Sequence, residues 1–423
     1  MYLKTLQGMV GAFCLMAVLP SKVVAIDISV EFSPGTLFHS GVDGTAKAAI
    51  NAAAADISAA ITSSLDAITQ DVYEGSYLST DVTFDWNYNY TNPSTGVSTS
   101  VDNVITPADT VTVFVGTRSL LGSSLGVGGP TGIGLSIGAS GFPNQSPTAV
   151  NNAEFASEAA LTRGGGPVIG SLDGTWNWNG FTDNYSVDYG AAYGSVAFDV
   201  DQDNNGSWDS ASALDDYWHW NHATEVASGK NDLYSVALHE IMHAVGIGVS
   251  DSWDDMRNGT TWIGSEVLAL TGSGVGLIQP DGGHITSNVM STRISDGVQQ
   301  EVVMDPNITT GTRKELTALD LAFLRDIGYE TITPTIVYDT ADYDTDGDVD
   351  GADLAILQNW YGVNAQGDAD DDGDTDGSDL LVWQRQHTGP IGSLVATVPE
   401  PTTVGLATVA GSMLAMRRRR RRD

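Results

Sequence analysis

Residues 238–250 read LHEIMHAVGIGVS. His239, Glu240 and His243 stand as HExxH, and a spacing of four is about one helical turn, so both imidazoles leave one helix face toward one ion. The glutamate between them sits where it takes a proton from a metal-activated water. A zinc site of this kind needs a third protein ligand. One common arrangement places a third histidine six residues after the second, and here that position is Val249. Either the motif is an accident or the third ligand lies elsewhere, and the remaining residues have to decide.

The stretch NDLYSVAL before the motif offers Leu233, Val236 and Ala237 to pack a helix predicted over 231–246. Histidines are scarce: 39, 219, 222, 239, 243, 284 and 387. Between the motif helix and the acidic segment that begins at 342 only His284, in PDGGHITSN, is available as a distal ligand. Asp251, Asp254 and Asp255 form a rival set, because carboxylates also bind zinc. His219 and His222, in DDYWHWNHATE, are flanked by Trp218 and Trp220 and read as packing before they read as site contacts. DVDQDNNG (199–206) reads equally as a calcium loop or a solvated turn.

The chain has 423 residues, 48 of them glycine, and a formal charge of −35 from 18 basic and 53 acidic residues. That length implies two or three domains, and the acidic surface makes nucleic acid an implausible partner. Residues 41–70 are Ala-rich, with Ile50, Ile57, Ile61, Leu65 and Ile68 at helical spacing, and predict one long amphipathic helix. Strand-like runs follow at 81–90, 110–116 and 194–200, separated by glycine-rich loops, notably LGVGGPTGIG (125–134). LTALDLAFLRDIGY (316–329) predicts a closing helix. Strands followed by helices predict an α+β fold.

Both ends carry their own signals. The start, with basic MYLK, a short apolar stretch and SKVVA, predicts a signal peptide over 1–25, which holds the single cysteine, Cys14. The other end runs VPEP (398–401), fifteen apolar or small residues (402–416), then Arg417 to Arg422. This order resembles the PEP-CTERM sorting signals of bacteria with an outer membrane. The resemblance implies export, a transient inner-membrane anchor through 402–416, processing by an exosortase-type enzyme, and delivery to the cell surface, outer membrane or extracellular matrix. A permanent tail anchor is the alternative.

Before that tail, DYDTDGDVDGAD (342–353) and DADDDGDTDGSD (368–379) place acids at loop positions 1, 3, 5, 9 and 12 and glycine at 6. Those are the oxygen-ligand positions of an EF-hand loop, with position 7 giving its backbone carbonyl. Candidate calcium residues are Asp342, Asp344, Asp346, Asp348, Asp350 and Asp353, then Asp368, Asp370, Asp372, Asp374, Asp376 and Asp379. Loop plus helix, given twice, resembles a dockerin module over 342–389, between linkers at 333–341 and 390–397. The resemblance implies two calcium ions and a cohesin-type partner; a calcium-locked spacer is the plainer role.

HEIMHAVG, WIGSEVLAL (262–270), GGHIT, VMDP and LDLAFLRDIGY, taken together, resemble leishmanolysin-like and related bacterial metzincin metalloproteases. The match covers roughly 190–330, with a weaker echo at 110–132. It implies a zincin-type metalloprotease domain over 26–332, with His239, His243 and His284 holding one catalytic zinc. Glu240 is then the general base, and Met304 the methionine-turn residue. The chain departs from the pattern in reading His284–Ile285 where a tryptophan usually follows the histidine, and in carrying a second candidate methionine, Met290. By the same resemblance, GSVAFDV (194–200) is an edge strand that pairs with an extended peptide substrate. The implied function is an exported zinc endopeptidase acting on proteins or peptides. The alternative is a surface or matrix adhesion protein on an inactive zincin scaffold, against which the intact Glu240 argues. Glycan binding through Trp176, Trp178, Trp208, Trp218 and Trp220 is a third reading.

Overall fold

A computed structural model describes residues 26–102, 104–120, 122–333, 341–344, 349–369 and 373–387. The expected signal peptide, most of the 333–341 linker, Asp346, Asp348, Asp370, Asp372 and the sorting tail lie outside the described residues. Two compact units divide the chain, one ending at Ile336 and one beginning at Val337.

The first unit opens with β1 (Asp27–Phe32), α1 (Asp43–Ala60), β2 (Val72–Tyr77), β3 (Thr80–Thr91), β4 (Ser98–Val101) and β5 (Thr110–Arg118). It continues through β6 (Gly126–Pro130), β7 (Gly132–Ser140), α2 (Ser146–Leu161), β8 (Val168–Trp178), β9 (Phe181–Gly190) and β10 (Tyr193–Asp199). Helices α3 (Ala211–Tyr217), α4 (Leu233–Ala244), α5 (Asp251–Asp255), α6 (Ser265–Thr271) and α7 (Ala318–Asp326) complete it. This is an α+β architecture.

The main sheet has the order β1-β5-β10-β6, with β1, β5 and β10 parallel and β6 antiparallel at one end. Alternation builds β5: Val111, Val113 and Val115 turn into the core beneath α1 and α4, while Phe114 stacks on Tyr90 on the other face, ring centroids 4.5 Å apart. Helix α1 meets the same core through Ala46, Ala49, Ile50, Ala53, Ile57 and Ala60, its alanines letting the backbone lie close to α4. Burying Ile50 and Ile57 stabilises the unit by about 1.5–3 kcal/mol each. A second sheet places β3 between β2 and β7, with β4 also on β3, under α2; β8 and β9 form a hairpin.

Three expectations are corrected here. The helix predicted over 41–70 stops at Ala60, because Ile61 and Ile68 are taken into bridges with Thr331 and Thr106. Backbone amides beyond the helix are captured from outside it: Leu65 N–H donates to Asp109 Oδ1 at 2.8 Å. The glycine-rich stretch 125–134 is no loop but the whole of β6 and the start of β7. And GSVAFDV, in β10 up to Asp199, is an interior strand paired on both sides; the free edge beside it belongs to β6.

In the second unit α8 (Gly351–Trp360) and α9 (Gly377–Gln386) each start with a capping box, Asp350 with Asp353 and Asp376 with Asp379. Positions 9 and 12 of each acidic loop are therefore helix caps. Val349, Leu357, Ala369 and Trp383 form a small core, and Trp383 Nε1 donates to the Asp350 carbonyl at 2.9 Å. Among the described residues no helix is long and apolar enough to cross a membrane.

Candidate metal centre

Helix α4 is fixed at its start by Asp232, whose buried carboxylate accepts from the Ser235 amide at 3.2 Å and from Arg313 Nη2 at 2.8 Å. The helix buries Leu233, Ala237, Leu238, Ile241 and Met242 almost wholly, leaving the motif side chains toward an open cleft of about 820 Å³. After Ala244 the chain turns through Gly246 at φ 112° and Gly248 at φ 80°. A side chain at Gly248 has no room: a Cβ there would lie 2.2 Å from the Gly283 carbonyl oxygen. This tight crossing brings the 281–284 loop against the helix end and carries His284 to the motif.

His239, His243 and His284 form one cluster, their potential ligand atoms all within 4.8 Å of one another. Each ring is held from behind. His239 Nδ1 lies 2.8 Å from the Val303 carbonyl, His243 Nδ1 2.8 Å from the Ile247 carbonyl, and His284 Nδ1 2.8 Å from Asp281 Oδ2. A carbonyl or carboxylate oxygen only accepts, so in each ring Nδ1 carries the proton. In the neutral imidazole Nε2 is then a bare lone pair. His243 Nε2 and His284 Nε2 face each other at 3.3 Å. Two nitrogens about 2.05 Å from a tetrahedral zinc would stand about 3.3 Å apart, so the donor set fits that ion.

The electrostatics agree with such a donor set. Burial pulls His239 well below the ordinary histidine value, with His243 and His284 adding to the effect. Burial likewise pulls His243 down to about 4, against the pull of the Ile247 carbonyl. Both rings are therefore neutral at pH 7 and available as donors. Burial pushes Glu240 up to about 8, opposed by the Gly128 amide, and a dication at the Nε2 atoms would restore its carboxylate form.

Strand β6 roofs the cleft at close range. A Cβ on Gly128 would lie 2.1 Å from the Glu240 carbonyl oxygen, and one on Gly126 2.8 Å from Glu240 Oε1. Glycine stands in this strand because backbone meets helix there. Val303 and Asp305 also line the cleft.

The other sequence candidates fall elsewhere. Asp251 accepts from Ser171 and Asp254 pairs with Arg257; neither they nor Asp255 lines the cleft. Met304 is fully buried, and its carbonyl accepts from the Ile285 amide at 3.0 Å, tying the VMDP segment to the residue after His284. Met290 is exposed. His219 bonds locally to the Asn221 carbonyl, and His222 stacks on Tyr234; neither lines the cleft. In the 199–206 loop Asp201 accepts from the amides of Asn205 and Gly206, and Trp218 and Trp220 are core.

The acidic loops yield two carboxylate groups among the described residues: Asp342, Asp344 and Asp353, and Asp374, Asp376 and Asp379, each within 4.8 Å. Both Asp353 oxygens accept backbone amides, Tyr343 at 2.7 Å and Asp350 at 2.8 Å. Sequence reasoning missed Asp281, the Val303 carbonyl and strand β6. The Asp281–Gly–Gly–His284 turn was the available signal for the first, since aspartate commonly caps the amides that follow it. No family model, curated protein or solved structure matches this chain.

Proposed function

We propose that the chain is an exported zinc-dependent endopeptidase on a zincin-type scaffold of the leishmanolysin-like, bacterial metzincin kind. In this reading residues 26–332 form the protease domain, 342–389 a dockerin-like module holding two calcium ions, and 398–423 a PEP-CTERM sorting signal. The observation that carries the reading is the convergence of three Nε2 lone pairs, each fixed by an acceptor on Nδ1, beside a buried glutamate under an open strand edge.

His239, His243 and His284 would hold the ion. Zinc bound there supplies a Lewis acid that acidifies water and polarises a peptide carbonyl. Three neutral ligands leave its full charge available for that work. Glu240, on the same helix face, takes the proton from the attacking water and returns it to the departing amine. Its dry surroundings keep its proton affinity high enough for the second transfer. An extended substrate lies along the free edge of β6 by main-chain pairing, which places its carbonyls over Glu240. Val303 and Ile247 lock the imidazole orientation through their carbonyls, and Asp281 does so through its carboxylate.

Glu240→Gln tests the reading. Hydrolysis of a denatured protein by the zinc-loaded chain should fall by about 10²–10⁴-fold, with zinc content unchanged. A wild-type chain that binds zinc and hydrolyses no protein or peptide would transfer the lead to the adhesion scaffold.

A further inference from the structure

Every other lysine or arginine whose side chain is described donates to a carboxylate or a carbonyl. Arg118, at the end of β5, has no partner among the described residues, and its Nε is sealed from solvent without an acceptor. In a chain with a formal charge of −35, a guanidinium left with neither a carboxylate nor a carbonyl is out of keeping with the other described cations. Arg118 lies on the sheet face opposite Val111, Val113 and Val115. There it lines a cavity of about 390 Å³.

The wall of that cavity is the outer face of β10 and β6. Ser195, Ala197, Val127 and Gly129 are small enough to leave it open, and no acidic residue lines it. Along β6 the Cβ directions alternate: Gly126 and Gly128 abut Glu240, whereas Val127 and Gly129 pair with Ala197 and Ser195 of the Arg118 cavity wall, and Val127 and Gly128 border both spaces. A peptide strand added to the free edge of β6 continues this alternation. Its side chains point in turn to the metal-centre cleft and to the Arg118 cavity.

From this juxtaposition we infer that the cavity is a subsite for an aspartate or glutamate side chain of a peptide bound in extended form along β6. The planar guanidinium offers a carboxylate two parallel donors, the strongest pairing open to either group. Ser195 and Ser98 add neutral polar contacts at the wall. The inference rests on the proposed peptidase only for the direction from which the peptide arrives.

The test uses the full chain carrying Glu240→Gln, so that peptide is not consumed. The probes are fluorescein-labelled peptides of alanine, serine, threonine and valine in which one glutamate is walked along the sequence, each with a glutamine counterpart. Anisotropy in about 0.15 M salt keeps the acidic surface screened beyond about 8 Å. One register should bind the glutamate peptide at least about tenfold more tightly than its glutamine partner, as a charge-assisted pair does. Arg118→Ala should erase that gap while leaving the glutamine peptide unchanged, and Arg118→Glu should reverse it in favour of lysine. A gap at no position, or one that survives Arg118→Ala, overturns the subsite. A gap that Arg118→Ala removes in a protein whose wild type hydrolyses nothing keeps the subsite and ends the peptidase reading; hydrolysis without a gap does the reverse.

Discussion

The histidine cluster and the acidic loops are both groups of potential metal ligands, assembled by opposite means. At the cluster the donors are imidazoles, which need carry no charge to bind an ion, and each ring is clamped by an acceptor behind it, so the rings can stand together on the cleft wall. In the loops the donors are carboxylates, exposed at two of three positions in the second group. Two carboxylates about 4.8 Å apart repel by about 1 kcal/mol in water and about 3 kcal/mol at an effective dielectric of 20. The innermost, Asp353 and Asp379, accept the amides of Asp350 and Asp376, and Asp350 and Asp376 in turn accept those of Ala352 and Ser378, bonds that fix the helix starts and leave the negative charges together. Neutral donors can be pre-assembled by packing; charged donors need a counter-charge. The first unit should therefore fold without its ion, and the second should depend on one.

The largest effect expected from this contrast is in hydrogen exchange. Calcium added to the full chain at about 100 times its dissociation constant should raise amide protection of Leu357 and Trp383 by about 100-fold per site. Protection along α4 should stay constant. Calcium-independent protection over 351–386 would break the comparison.

A smaller effect sharpens the other side. Asp281→Ala leaves the three ligands but frees His284 Nδ1, which Asp281 holds at 2.8 Å. Zinc affinity should fall by about 10–100-fold, the usual cost of losing such a partner, with the melting temperature of the first unit little changed. Unchanged affinity would mean that packing alone orients the ring.

How much of this was legible depends on the range over which each residue acts. The motif helix could be read because its ligands repeat within one turn and its apolar residues within the next. His284 could be read because so few histidines compete with it. Strand β6 could not, since Gly126, Gly128 and Gly129 have poor strand propensity and read as a loop. They are in a strand because Glu240 and its backbone leave no space for a side chain, a fact about packing between segments more than a hundred residues apart. The end of α1 was hidden for the same reason: Ile61 fits the helical spacing but pairs with Thr331. The β8–β9 hairpin did carry a local signal, the Asn179–Gly180 turn with φ values of 46° and 89°, and sequence reading passed over it. Arg118 was invisible because nothing local marks an arginine that lacks a partner.

His284 as the third donor decides whether the cluster is a metal centre. The direct measurement is zinc per molecule, by elemental analysis, in the full chain and in the same chain carrying His284→Ala, with hydrolysis followed in parallel. One zinc in the parent, with zinc and hydrolysis both lost in the variant, is the predicted result. Equal zinc and equal hydrolysis in the two proteins would contradict it.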